Sequence, residues 1–138
     1  MLNQRGAKAA ITQTFRPGDP GNPKVTFLAS HSGTGAATAF AELRSAVAAC
    51  PATGSGTRNG TVQYEDLDGP GYPEDTIRIR MTITEEGSDE PADISERIVA
   101  RVGVCIVDMT GMGPEPYPRL ADEPLLRQIK RLQSAQGL

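Results

Sequence analysis

The chain has no tryptophan, a single histidine, two cysteines, and aromatic residues at only 4% of its 138 positions. Without large aromatics, the core has to be assembled from small aliphatic side chains. One imidazole excludes multi-histidine metal centres and leaves any histidine-dependent nucleophile resting on His31 alone. No apolar run approaches the roughly 18 residues needed to span a bilayer. Met1 to Lys8 carries positive charge with no apolar core behind it, unlike an export signal. A net charge of −3 comes without the basic stripe that displaces phosphate counterions, so nucleic acid is not an expected partner. There is no G-x-S-x-G elbow, and Gly33 and Gly35 before a helix lack the lysine of a phosphate loop. Asp66, Asp68, Glu74 and Asp75 offer carboxylates to a hard cation, but their spacing is not that of an EF-hand. Neither a cofactor nor a metal is expected.

What is present has clear periodicity. Asp93 to Met109 is the longest apolar stretch. Ile94, Ile98 and Ala100 alternate with Ser95, Arg97 and Arg101, and Val104 to Val107 is apolar on both faces. Gly103 between them predicts a reversal, hence a β-hairpin at the middle of a sheet. Thr76 to Thr84 is the cleanest strand: Ile77, Ile79, Met81 and Ile83 point one way and Thr76, Arg78, Arg80, Thr82 and Thr84 the other. Its register is expected to keep both arginines out of the core. Shorter strands are expected over Ala9 to Phe15, Val25 to Ser30 and Thr61 to Glu65. Loops are expected over Arg16 to Pro23 and over Ala52 to Gly60, where Asn59-Gly60 reads as a turn.

Helical spacing places Ala36, Phe40, Leu43, Val47 and Cys50 on one stripe, with Ser32 or Thr34 as N-cap and Pro51 ending the helix. A last helix begins at Asp122 as cap with Pro124 in its first turn, and buries Leu125, Ile129 and Leu132. The order is β-β-α-β-β-β-β-α. It predicts a single α+β domain over residues 1–138 in which an antiparallel sheet of five or six strands packs with two helices, frayed at 1–8 and 136–138.

Cys50 and Cys105 admit two readings. They are either two separate buried thiols or, as expected here, a disulfide between helix and sheet. The bridge would close a loop of about 55 residues and contribute on the order of 4 kcal/mol in the chain-entropy account. It would also imply an oxidising compartment.

F-A-E-L-R-S-A-V-A-A-C, the spaced I-R-I-R-M, I-V-A-R-V-G-V-C-I-V-D-M and the closing L-L-R-Q-I-K-R-L-Q-S-A-Q together resemble the actinobacterial extracellular sensor domains of the PknH type. The resemblance covers roughly residues 9–136. It implies a PsbP-like sheet flanked by helices, and a cleft for an unidentified small ligand. It further implies an extracytoplasmic location, as a lipoprotein or behind a membrane tether supplied outside this sequence. The chain departs from the kinase-linked form in having one cysteine pair where that form has two.

Arg78, Arg80, Arg97 and Arg101 are the binding candidates, expected to converge on one side of the sheet where guanidinium groups would hold a carboxylate or phosphate. Tyr64 is a further lining candidate. The alternative for the arginines is pairing with Glu65, Glu85 and Glu96 as surface ion pairs. The expected function is a non-catalytic ligand-binding or sensor domain for a small, anionic ligand, with a homodimer as a candidate assembly. Two other classes compete with it. One is a small isomerase or cyclase using Asp108 or Glu65 as acid and base; the other is an interaction module docking a partner through a sheet edge. A carboxylate in a closed apolar pocket favours the enzyme, an open polar cleft the sensor, and an unpaired edge the module.

Overall fold

The computed structural model describes residues 6–14, 23–50, 52–55, 58–117 and 119–138. Its elements are β1 (Ala7–Thr14), β2 (Val25–His31), α1 (Gly35–Ala49), β3 (Ala52–Ser55), β4 (Arg58–Asp66), β5 (Thr76–Glu85), β6 (Asp93–Val102), β7 (Cys105–Pro114) and α2 (Asp122–Gln136). All strands join one antiparallel sheet in the order β1-β2-β7-β6-β5-β4-β3. The α+β class and the order β-β-α-β-β-β-β-α are as expected, with β3 as an added short strand.

The β6–β7 hairpin lies at the centre of the sheet, closed by a two-residue turn in which Val102 pairs with Cys105. Gly103 has φ +58°, the left-handed value that a first turn position of this kind requires. α2 locks the turn from outside. The Gln136 amide accepts from Val104 N at 3.0 Å and donates to Val102 O at 2.9 Å. Gly137 adopts a left-handed C-terminal cap, and Leu138 N bonds Gln133 O at 2.9 Å. Residues 136–138, expected to fray, are therefore tied down. Of residues 1–8, Ala7 and Lys8 belong to β1, while residues 1–5 lie outside the described set, as do Phe15 and most of the expected Arg16–Pro23 loop.

The two helices cover opposite faces. Phe40 and Ala36 of α1 pack on Ile77, Ile79, Val99 and Ile106, with Leu43, Val47 and Val62 alongside. Leu125, Ile129 and Leu132 of α2 pack on Ile98, Ala100, Val102, Cys105, Val107 and Met109. Burying each large aliphatic contributes about 1.5–3 kcal/mol, and the strict alternation of β6 and β7 feeds both layers at once.

Two local expectations are corrected and a third holds. Asn59 and Gly60 lie inside β4, opposite Thr84 and Ile83, and the chain reverses between Ser55 and Arg58, which pair. Ala121, not Asp122, is the N-cap of α2, because the Asp122 carboxylate is drawn to Arg78. Thr34 does occupy the N-cap of α1, without a side-chain capping bond.

The Cys50–Cys105 bridge is not formed. Both thiols are free, Cys50 exposed at the end of α1 and Cys105 buried. The physical reason is the split between faces: Cys105 sits in the layer under α2, whereas α1 covers the other side. The inference of an oxidising compartment loses its covalent support.

Candidate binding cleft beside helix α2

Arg78 and Arg80 are two residues apart on β5 and so point to the same side of the sheet, the side covered by α2. On β6, Glu96 stands directly opposite Arg80, and Ile98 opposite Arg78. Glu96 has no solvent exposure at all. Its Oε1 accepts from Arg78 Nη1 and from Leu120 N at 3.2 Å, and its Oε2 accepts from Arg80 Nη1. A carboxylate in that position is held strictly as an acceptor, between two guanidinium groups and a backbone amide.

The same arginines fasten the segment between β7 and α2. Arg78 Nη1 donates to Leu120 O at 3.2 Å, Arg78 Nη2 to Asp122 Oδ1 at 2.5 Å, and Arg80 Nη2 to Tyr117 O at 2.8 Å. Space for this segment is made on β7. A Cβ at Gly111 would come within 2.6 Å of both Tyr117 Oη and Leu120 Cδ2, and one at Gly113 within 2.7 Å of Tyr117 Cδ2. Tyr117 is buried over these glycines and its hydroxyl has no partner among the described residues. Burial, then the Glu96 charge, raises its pKa. Tyr72, packed against the α2 layer, is pushed up to about 12 by burial and by the neighbouring Asp122 carboxylate.

Outward from this buried network lies an open cleft of about 700 Å³, lined by Val62, Gln63, Tyr64, Glu65, Arg78, Arg80, Glu96 and Arg119. Arg119, exposed, pairs with Glu65 of β4. Arg78 Nε approaches Glu65 at 3.5 Å without forming a hydrogen bond. Three arginines against two carboxylates leave one net positive charge in this lining, within a chain of net charge −3. Among the described residues, Arg80 gives two of its five N–H donors to protein acceptors and Arg119 gives one, while their side chains are 30% and 61% exposed.

Of the residues singled out from sequence, Arg78 and Arg80 are in the cleft, while Tyr64 lies at its edge with its ring, 45% exposed, on the α1 side of the sheet, opposite Ile79. Arg97 and Arg101 are not. They occupy odd positions on β6 and so project to the α1 side. There Arg97 pairs with Asp108 through Nε at 3.3 Å and also through Nη2, and Arg101 Nε donates to Asp75 Oδ2 at 2.5 Å. The expected convergence of all four arginines is thus corrected to two plus two. Arg78 also departs from expectation in being buried, 5% exposed. The register of β5 holds, but α2 and its preceding segment cover the arginine face, and Glu96 supplies the countercharge.

Sequence reasoning named Glu96 only as a surface partner of the arginines, whereas it pairs with Arg78 and Arg80 fully buried, and it missed Arg119. Glu96 did carry a signal, an acid at an apolar-face position between Ile94 and Ile98. Arg119 carried none, since it lies outside any periodic segment. His31 is buried at the end of β2, far in sequence from every lining residue, and its Nδ1 has no partner among the described residues. Among the described residues, no group of side chains is arranged to hold a metal ion, and no helix is long and apolar enough to cross a membrane. No known protein family, curated protein or solved structure matches the chain.

Proposed function

We propose that the protein is a non-catalytic binding domain that takes a small anionic ligand in the cleft between β4, β5 and Arg119, and acts as a sensor or carrier of that ligand outside the cytoplasm. The observation that carries the ligand class is the unspent donor capacity of Arg80 and Arg119 at the mouth of a net-positive cleft. Guanidinium donors offered in pairs suit the two oxygens of a carboxylate or phosphate. The location rests on the sequence resemblance alone.

An isomerase reading is less well supported by the same geometry. General acid catalysis by a carboxyl needs a group that holds and releases its proton in an apolar surrounding. Glu96 instead accepts from two arginines and an amide, and Glu65 from Arg119. Asp108, the other carboxylate considered, is committed to Arg97 and Thr110 on the opposite face.

Calorimetric titration with phosphate, sulfate, succinate and citrate tests the proposal. At least one of them is expected to bind, with affinity falling as salt rises. Arg119→Ala should weaken that binding by about tenfold, the scale of one charged hydrogen bond. Absence of heat with all four anions, or binding indifferent to Arg119→Ala, would refute it.

A further inference from the structure

The cleft opens directly onto an unfinished sheet edge. β3 pairs only with Arg58 to Thr61 of β4. From Val62 to Asp66, β4 has β5 on one side and, among the described residues, no strand on the other. Cys50, at the end of α1, keeps its amide in the helix, donating to Ala46 O at 3.2 Å. Gln63, Tyr64, Glu65 and Asp66 are exposed and Val62 is half-buried. Four of these five edge residues, Val62 to Glu65, also line the cleft.

We infer that the ligand of this cleft is an extended peptide that adds to the edge of β4 at Val62–Asp66 as an antiparallel strand and sets an acidic side chain between Arg80 and Arg119. The inference rests on the anion-binding reading of the same cleft and narrows its ligand class. Alternate amides and carbonyls of an edge strand point away from the sheet and form a ready ladder for an added chain. Residues directly opposite one another share a face. A side chain facing Gln63 therefore lies on the arginine side of the sheet, because Gln63 itself stands opposite Arg80. Its neighbour facing Tyr64 lies on the other side, against a ring that is 45% exposed. Running antiparallel to β4, the peptide meets Tyr64 first and Gln63 second, so the favoured order is an apolar residue followed by an acidic one. Glu65 disfavours a second acid two places before the first.

The test uses the full chain, a fluorescein-labelled Thr-Thr-Val-Glu-Val amide followed by anisotropy, and free glutarate as the small anion. The peptide is expected to bind at least tenfold more tightly than glutarate. Replacing its glutamate by glutamine, or making Arg119→Ala in the protein, should each weaken it tenfold or more, and Arg119→Lys should restore part of the loss. Because Arg119 is exposed, its removal leaves the fold intact, which circular dichroism verifies. N-methylation of one alternate set of peptide amides should abolish binding, and methylation of the other set should not. If glutarate binds as well as the peptide and methylation of either set has no effect, strand addition is wrong while the anion reading stands. If neither binds, both fall. Peptide binding that ignores both Arg119→Ala and methylation overturns the docking site.

Discussion

Replacing Glu96 by glutamine is the most informative single perturbation of this molecule. The side chain keeps its shape, so packing is preserved and the change is electrostatic. The amide oxygen can still accept from one arginine, but its NH2 group must then confront the other. Arg78 is 5% exposed and cannot recover the loss from water; its remaining carboxylate neighbours are Asp122 at 2.5 Å and Glu65 at 3.5 Å. The Arg80 side chain, 30% exposed, can be partly rehydrated. Breaking a buried pair by removing one member costs about 3–5 kcal/mol, and the partial rescue of Arg80 and Asp122 argues for the lower end, about 3 kcal/mol. Against a typical stability of about 5–15 kcal/mol, that is a large fraction. For a domain of this size it corresponds to a fall of roughly 10 °C in Tm. Urea and thermal unfolding followed by far-ultraviolet circular dichroism would measure it. A loss below about 1 kcal/mol for Glu96→Gln would refute the assignment of Glu96 as a desolvated anion bound by two arginines.

Other consequences can be checked independently. Under native, non-reducing conditions one thiol, Cys50, should react rapidly with a disulfide reagent. Cys105, buried and with its pKa raised by burial, should react only on unfolding; a chain with no reactive thiol even when unfolded would reinstate the bridge. Gly111→Ala should destabilise by about 1–3 kcal/mol through overpacking, because the new methyl meets Tyr117 and Leu120 at 2.6 Å; an unchanged Tm would show that the β7–α2 segment does not lie where described. Tyr72 is neutral in the fold up to a pKa of about 12 against an ordinary 10.0, so the folded state holds its proton more tightly than the unfolded chain. Its contribution is intact below pH 10 and is lost as pH rises towards 12, by at most about 2–3 kcal/mol at 1.36 kcal/mol per unit. Tyr72→Phe should flatten that part of the stability profile, and an unaltered alkaline limb would contradict the shift.

The elements that were legible in the sequence are those with a strong period. β5 alternates without exception, β6 and β7 flank a glycine that can take a positive φ, and both helices carry stripes at 3.6-residue spacing. β3 was missed because Ala-Thr-Gly-Ser has no apolar rhythm to read. The side of the sheet on which each helix lands is a property of the crossover, not of any local pattern, and two errors descend from it. Cys50 and Cys105 were paired across what proved to be the thickness of the sheet. Arg78, assigned to solvent by its alternation with isoleucines, was covered by α2 and neutralised by Glu96. Parity was sufficient to separate Arg97 and Arg101 from Arg78 and Arg80 only once the β5–β6 register was known, since a shift by one residue reverses the answer. Arg119 depends on a non-periodic segment whose path is set by Gly111, Gly113 and the Tyr117 ring together.

The central claim is that Arg80 and Arg119 receive an anion while Arg97 and Arg101 do not. Guanidinium NMR of 15N-arginine-labelled protein titrated with succinate addresses it residue by residue. The account predicts that the Arg80 and Arg119 signals move along a common saturating curve and that those of Arg97 and Arg101 stay in place. Signals that all drift together in proportion to ionic strength, or a saturating response confined to Arg97 and Arg101, would contradict it.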